Sequence, residues 1–283
     1  MPDSTFRETL QSANLNLLLD ANLNDLYRAF AIPQAWRPLA KWIFLVPARR
    51  LAQRLIRFDN DIARVGLKEA AKSFLVYLGT EVKIEGSVLQ NSGPLILAIN
   101  HPGLADILAV LGFLDRADIK IIAAERPLLR ALPNLAQSLI FLTEASQLRP
   151  SNIREAKRHL EQKGCILLFP KGAIEPDPLL HPRDAMDCVT KWASSLGIFS
   201  TLHRETQMQA AILKGIRHPK SFSHPLVRLR RDPKEKDWLA ATLQLLLKRY
   251  QNQAITLSLS PAYDQVEDVL EAAKAIIRQN DHS

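Results

Sequence analysis

Hydrophobic residues in the first quarter of the chain recur every three or four positions, the spacing of amphipathic helices. This period extends from about residue 6 to residue 74 and predicts a helical N-terminal region. Pro33, Pro38 and Pro47 are predicted to divide it into segments, because proline has no N–H to donate inside a helix. The recurring positions include Leu15, Leu19, Leu23, Leu26, Phe30, Leu51, Leu55 and Phe58.

From residue 81 onward, short apolar or alternating runs are separated by helical stretches. Strands that alternate with helices predict an α/β fold with a mixed, mostly parallel sheet flanked by helices. Residues 233–253 and 265–278 are predicted to be helices. We therefore expect a helical preface over residues 1–78, possibly membrane-docking in role, and an α/β domain over residues 79–283. The predicted strands are Val82–Ile84, Leu95–Ile99, Ile119–Ala123, Leu139–Leu142, Ile166–Phe169, Ala210–Leu213 and Ile255–Leu259.

Composition narrows the class of protein. The N-terminus lacks the apolar core of a signal peptide, and apolar runs such as Trp42–Ala48 are far shorter than the roughly 20 residues of a spanning helix. The two cysteines form no Cys-x-x-Cys or Cys/His cluster, which indicates a reducing compartment and no metal site. A net charge of +8 indicates an anionic partner: a nucleic acid, a membrane surface or a phosphorylated substrate.

Several enzyme signatures are absent from the sequence. It contains no Gly-x-Gly-x-x-Gly, no phosphate loop ending in Gly-Lys-Ser/Thr and no Gly-x-Ser-x-Gly elbow. Nucleotide-dependent dehydrogenases, P-loop kinases and serine hydrolases therefore lose support. Nucleic-acid binding is not expected either, because there is no recognisable motif and no set of interleaved aromatic residues.

The most informative stretch is Asn-His-Pro-Gly-Leu-Ala-Asp at residues 100–106, between a buried strand and a helix. A strand that ends in a Pro-Gly turn places His101 at the carboxyl edge of the sheet, where α/β proteins build their sites. Asp106 then falls in the first turn of the helix and can accept a hydrogen bond from one imidazole nitrogen. The other nitrogen becomes a general base, while the nucleophilic hydroxyl belongs to the substrate. The alternative from the same residues is a helix-capping aspartate beside a surface histidine.

A second strand runs into a similar turn at Phe169-Pro170-Lys171-Gly172. Gly172 allows a backbone to approach a ligand closely, as in anion-binding loops. By itself this turn is equally typical of an ordinary strand end. Two such junctions in one parallel sheet would, however, lie at the same edge.

These stretches resemble the signatures of the glycerolipid acyltransferase family. Residues 100–106 are similar to its first signature, Asn-His-x-x-x-x-Asp, and Leu168–Gly172 to its third, Phe-Pro-x-Gly. Residues 140–144 and 210–215 approximate the second and fourth, so the resemblance covers roughly residues 80–220. It implies a 1-acylglycerol-3-phosphate acyltransferase-like enzyme with His101 as general base and Asp106 as its orienting partner. It also implies an acyl-CoA or acyl-carrier-protein donor, a lysolipid acceptor and no bound cofactor.

Three positions depart from that family pattern: Glu144, Lys171 and Ile174 stand where the family has Arg, Glu and Arg. The resemblance implies that the residues at these positions bind a glycerol phosphate head group. The family's acceptor is therefore not assigned to this chain, although its mechanism is. Cations that are candidates for phosphate are Lys171, Arg126, Arg130 and Arg149, and Glu175 is a candidate for the missing carboxylate. The predicted substrate-binding residues are Asn100, Gly103, Arg126, Phe169, Pro170, Lys171, Gly172 and Glu175.

The segment from Trp36 to Arg57 mixes aromatic and aliphatic residues with six basic ones. This composition is typical of a helix in a lipid interface, and also of a helix packed on a core with a solvated basic face. We expect peripheral attachment to the cytoplasmic face of a membrane. Two alternatives to a lysophospholipid acyltransferase stay open: a catalytically silent lipid-binding or membrane-docking protein, and an acyltransferase for another acceptor, such as an amino-acid or sugar lipid.

Overall fold

A computed structural model describes residues 4–103, 105–142, 150–251 and 253–279. Its helices are α1 (Ser4–Ala29), α2 (Arg37–Val65), α3 (Leu67–Tyr77), α4 (Asp106–Phe113), α5 (Pro127–Arg130), α6 (Pro133–Ala136), α7 (Pro150–Glu161), α8 (Pro182–Thr190), α9 (Ala193–Ser200), α10 (Pro219–Phe222), α11 (Pro225–Arg228), α12 (Pro233–Leu246) and α13 (Val266–Arg278). Its strands are β1 (Glu81–Gly86), β2 (Leu95–Ile99), β3 (Ile119–Ala124), β4 (Leu139–Leu142), β5 (Cys165–Leu168), β6 (Gln207–Lys214) and β7 (Ala254–Tyr263).

The seven strands form one sheet in the order β1-β7-β6-β2-β5-β3-β4. The pairing of β6 with β7 is antiparallel, and the other pairings are parallel. The predicted α/β class with a mixed, mostly parallel sheet and a helical N-terminal region is therefore confirmed. All seven predicted strands are present, with small changes at their ends.

Strand β2 lies at the centre of the sheet, between β5 and β6. All of its residues are buried, as expected for a strand covered on both faces. On one face, Ile96 and Ala98 belong to a core cluster that includes residues of β5, β6, α7, α8, α9 and α13. Trp192, at the start of α9, is the largest fully buried side chain of this cluster. The apolar run at residues 95–99 is thus explained by burial on both faces of the sheet.

The chain divides into two compact units whose boundaries differ from the single boundary predicted near residue 78. The sheet unit contains residues 71–125, 138–218 and 252–283, and the helical unit contains residues up to 70, 126–137 and 219–251. The helical unit is therefore built from three separate segments. Sequence periodicity did not indicate this, because it describes neighbours along the chain and not contacts between distant segments.

Within the helical unit, polar contacts join distant segments. The Asp59 carboxylate in α2 accepts hydrogen bonds from the backbone N–H groups of Asn134 (3.0 Å) and Leu135 (2.9 Å) at the start of α6. Arg230, after α11, donates to the carbonyl of Ala29 at the end of α1 (3.2 Å). These bonds explain why residues 126–137 and 219–251 belong with the N-terminal helices.

Two helix predictions need correction. Pro47 does not end a helix, because α2 continues through it from residue 37 to residue 65. Buried contacts beside the proline offset the lost hydrogen bond: Ala48 is 1% exposed, and its carbonyl accepts from Asn22 of α1 at 3.1 Å. The helix predicted over residues 233–253 ends at Leu246, and a 3₁₀ turn at Lys248–Tyr250 follows it. Tyr250 packs in a core cluster of the helical unit, and this burial favours the turn over continuation of the helix.

Within the described ranges, no helix combines the length and the hydrophobicity needed to cross a bilayer.

Candidate active site

The candidate site lies where β2, β5 and β6 end. Strands β5 and β6 lie on either side of β2 and run parallel to it, so the carboxyl ends of all three strands meet at one edge of the sheet. The segments that leave these strands carry residues 100–106, 169–177 and 215–217. The sequence predicted the first two as neighbours, and the structure brings them together: the Glu175 N–H donates to the His101 carbonyl at 2.8 Å.

His101 and Asp106 form a close pair. The distance from His101 Nδ1 to Asp106 Oδ2 is 2.6 Å. The Asp106 side chain is 1% exposed, and the His101 side chain is 28% exposed. Asp106 Oδ2 also accepts from the Gly103 N–H (3.1 Å), and Oδ1 accepts from the Ile107 N–H (2.6 Å). Asp106 is therefore fixed by backbone donors while it holds one imidazole nitrogen.

Asn100 and Gly103 shape the turn that carries this pair. The Asn100 amide is 2% exposed and makes two hydrogen bonds to Leu213 of β6, one to its carbonyl (2.9 Å) and one from its N–H (2.7 Å). A Cβ on Gly103 would lie 2.6 Å from Cγ2 of Ile216, so the close approach of two loops requires glycine here. Both residues were predicted to bind substrate, and both have contacts that position the His101 turn.

The turn after β5 packs against the imidazole. The Phe169 ring centroid lies 4.5 Å from that of His101, with the two planes tilted by 36°. The Gly172 N–H donates to the Phe169 carbonyl at 2.9 Å, and Gly172 has φ +66°, a conformation that favours glycine. The Pro170 carbonyl accepts from the Ser195 hydroxyl at 2.7 Å. Hydrogen bonds thus hold the conformation of this turn, and its Phe169 ring packs against His101.

Lys171 and Glu175, both predicted to bind substrate, have their side chains engaged within the protein. Lys171 Nζ lies 3.3 Å from the Ile174 carbonyl and 3.0 Å from Cys188 Sγ of α8. The Glu175 carboxyl is 1% exposed and accepts from Trp192 Nε1 at 3.2 Å. Burial raises the pKa of Glu175 to about 7, while Lys171 and the Trp192 bond act in the opposite direction.

Two residues of these segments, one in the second and one in the third, were missed by sequence reasoning. Arg217 is 2% exposed, and its Nε donates to the carbonyl of Pro102 in the His101 turn. Asp177 accepts from the N–H groups of Leu179 (2.9 Å), Gly215 (3.0 Å) and Arg217 (2.8 Å). The signal that could have found Arg217 is its place directly after the strand β6, at the third strand end of the same edge.

Opposing effects set the charge state of His101. Burial lowers the pKa of His101, but the charge and hydrogen bond of Asp106, together with the charge of Glu175, more than offset it. Arg217 acts with burial to lower it. The net result is a pKa of His101 above its usual value, so the ring is protonated more readily than a free imidazole.

The remaining predicted cations are Arg126, Arg130 and Arg149. Arg126 and Arg130 belong to the helical unit, at the two ends of α5. Burial raises the pKa of Asp25 in α1 of that unit, and the charge of Arg126 counters it. Arg149 and Glu144 lie outside the described residues. In the described part of the chain, no group of three or more His, Cys, Asp and Glu side chains is arranged to hold a metal ion.

Comparisons with known proteins give a remote likeness. The chain is similar to the crystal structure of the 1-acyl-sn-glycerophosphate (LPA) acyltransferase PlsC from Thermotoga maritima, at 16% sequence identity and a TM-score of 0.46. The match covers 98% of this chain and 99% of that one. No family model and no curated protein matches the chain. We therefore base the function on the geometry of the site and not on this likeness.

Proposed function

We propose that the protein is an O-acyltransferase that moves a fatty acyl group from acyl-CoA or acyl carrier protein to a hydroxyl of a lysophospholipid-like acceptor. The observation that carries the proposal is the 2.6 Å contact between His101 Nδ1 and the buried Asp106 carboxylate, at an edge formed by three strand ends. A carboxylate that is already fixed by two backbone N–H donors holds a histidine in one orientation.

The chemistry follows from the tautomer that this contact selects. Asp106 only accepts, so Nδ1 carries the hydrogen and Nε2 has the free lone pair. Nε2 takes the proton of the acceptor hydroxyl while the hydroxyl oxygen attacks the carbonyl carbon of the thioester. The C–S bond then breaks, the acyl group is on the acceptor oxygen, and the departing thiolate leaves as the thiol with the proton that His101 carried. No acyl-enzyme is formed.

The test is thiol release from a panel of acyl-CoA and acyl-carrier-protein donors, with lysophosphatidic acid and other lysolipids as acceptors. We expect release that depends on an acceptor and falls by about 10² to 10⁴ in His101→Ala. His181→Ala, at an exposed histidine before α8, is the matched control and should keep full activity. A fully active His101→Ala protein, or release that needs no acceptor, would contradict the proposal.

A silent lipid-binding protein is the second candidate. It is favoured by the internal contacts of Lys171, which stands at a position that the family resemblance connects with a head group, and of Glu175, the candidate for the missing carboxylate. No release with any donor, together with tight binding to vesicles, would support it. Release only with an amino-acid or sugar lipid as acceptor would instead keep the transferase and change its substrate class.

We also propose that the protein attaches peripherally to the cytoplasmic face of a membrane through α2. Leu39, Trp42, Ile43 and Val46 follow helical spacing and, with Trp36, form the α2 surface, where Trp42 is 80% and Ile43 70% exposed. Exposed basic residues surround it, and each adds roughly 1 kcal/mol near anionic lipid. These residues are Arg37, Lys41, Arg49 and Arg50.

Sedimentation with lipid vesicles tests this attachment. We expect binding to phosphatidylcholine vesicles that contain phosphatidylserine, and a loss of at least about tenfold in Trp42→Ser/Ile43→Ser, because burial of these side chains contributes about 1.5–3 kcal/mol each. Val88→Ser, at an 88% exposed position of the sheet unit, is the control. Equal binding by both variants would exclude the α2 surface.

A further inference from the structure

The Glu175 carboxyl is a buried acid that the proposed proton transfer does not use. It is 1% exposed, and it accepts a hydrogen bond from Trp192 Nε1 at 3.2 Å. Its backbone N–H donates to the carbonyl of His101 at 2.8 Å. Glu175 is thus attached directly to the main chain of the proposed general base.

A structural role alone does not require an acid at this position. A glutamine has the same shape and an amide oxygen that accepts from Trp192 equally well. A carboxylate at a buried site costs several kcal/mol unless opposite charge compensates it. Glutamate is therefore favoured over glutamine here only if its negative charge interacts with other charged groups. Such groups are close. Those that act on Glu175 or on His101 are Lys171 on the same loop, Asp106 on α4 and Arg217 after β6. The Cys188 thiol of α8 contacts Lys171.

The proposed chemistry creates a positive charge in this place. When His101 takes the proton of the acceptor, the imidazole becomes an imidazolium. Asp106 balances that charge, while the buried Arg217 guanidinium opposes it through its position beside Pro102. Asp177 accepts from the Arg217 N–H and so acts on Arg217 itself, whereas Glu175 is the acid, besides Asp106, whose negative charge acts on His101.

We propose that Glu175 is a positioning residue of the His101–Asp106 pair: its N–H fixes the His101 main chain, and its carboxylate stabilises the imidazolium formed during acyl transfer. This inference rests on the proposed function. It also replaces the role in substrate binding that the sequence predicted for Glu175. The reciprocal effect of the two groups supports it, because the charge of Glu175 raises the pKa of His101 and the charge of His101 lowers the pKa of Glu175.

The first experiment reads His101 without any need for activity. In an NMR titration of the imidazole signals, His101 is identified as the signal that His101→Gln removes. We expect two coupled titration steps for His101 in the wild type, and one step at lower pH in Glu175→Gln, because the lost carboxylate no longer favours the imidazolium. Glu205→Gln, at an exposed position of the same unit, should leave the His101 titration unchanged. An unchanged His101 titration in Glu175→Gln would overturn the proposal.

The second experiment is the pH profile of kcat/KM. In Glu175→Gln the acid limb should move to lower pH and the plateau should fall about tenfold, the effect of one lost charge interaction of one pKa unit. A profile that overlays the wild type would overturn the proposal while leaving acyl transfer intact. If the wild type itself shows no His101-dependent transfer, the proposed function fails, and the NMR titration still decides the electrostatic role.

Lys171→Met keeps the proposal testable if Glu175→Gln does not fold. Of the charged groups that lower the pKa of Glu175, Lys171 has the largest effect. Its removal should move the coupled step of the His101 titration that belongs to Glu175 to higher pH. An unmoved step would show that Glu175 and His101 titrate independently.

Discussion

The turns after β2 and β5 follow two neighbouring buried strands, and each contains proline and glycine, yet their charged side chains have different surroundings. After β2, His101 keeps part of its surface exposed while Asp106 is buried beneath it. After β5, the Lys171 ammonium contacts the protein at Ile174 and Cys188, and the Glu175 carboxyl is buried against Trp192. A polar residue at a strand end is therefore available to a substrate only if the neighbouring elements leave its polar atoms unused.

The largest expected effect concerns the β2 turn. Asp106→Asn should lower kcat/KM by about 10³, because an asparagine N–H directed at Nδ1 favours the tautomer that cannot act as base through Nε2. The measurement is thiol release at saturating donor, beside Asp187→Asn at an exposed position of α8. A loss below about fivefold would mean that Asp106 only fixes the backbone of the turn through the Gly103 and Ile107 N–H groups.

Asn100→Ala should act mainly on stability. The variant leaves the Leu213 N–H and carbonyl without the partners they have in the wild type, so we expect the free energy of unfolding to fall by about 2–3 kcal/mol. Urea unfolding measures this change. If stability is unchanged but the KM for the acceptor rises tenfold, Asn100 contacts substrate, as the sequence predicted.

Glu175→Gln should stabilise the protein at high pH. The folded-state pKa of Glu175 is raised from 4.5 to about 7, so the folded state binds more protons in this window and stability falls as the pH rises through it. Above pH 7 the variant should therefore be more stable by on the order of 2 kcal/mol, with little difference near pH 4. Urea unfolding at the two pH values checks the sign. Equal stability at both would mean that the Glu175 carboxylate is fully compensated.

Lys171→Met should have the smallest effect. Loss of the hydrogen bond to the Ile174 carbonyl lowers the free energy of unfolding by about 1 kcal/mol. Because the ammonium is engaged inside the protein, the KM for a phosphorylated acceptor should rise by less than about threefold. A tenfold rise in KM would support the phosphate contact that the sequence predicted for Lys171. Both turns would then contact the substrate.

Local patterns predicted much of the fold. Each of the seven strands contains a short apolar or alternating run, and β2 was predicted from its continuous apolar run, which reflects the burial of both its faces. The predicted helix end at Pro47 was wrong, because Asn22, which donates to the Ala48 carbonyl, belongs to a different helix and local patterns do not show such a contact. That residues 126–137 and 219–251 belong to the helical unit was not predicted, because contacts such as that of Asp59 with Asn134 join residues 75 positions apart.

The strands, the mixed sheet and the proximity of His101 to Asp106 could be predicted from the residues alone, since these features depend on patterns that span a few positions. Which polar groups make internal hydrogen bonds could be seen only in the folded chain. Asn100 meets Leu213 across 113 positions, and Arg217 reaches Pro102 across 115. Burial and hydrogen-bond partners depend on such distant neighbours. The contacts of four residues could therefore be described only from the folded structure, in which the strand ends lie side by side: Asn100, Lys171, Glu175 and Arg217.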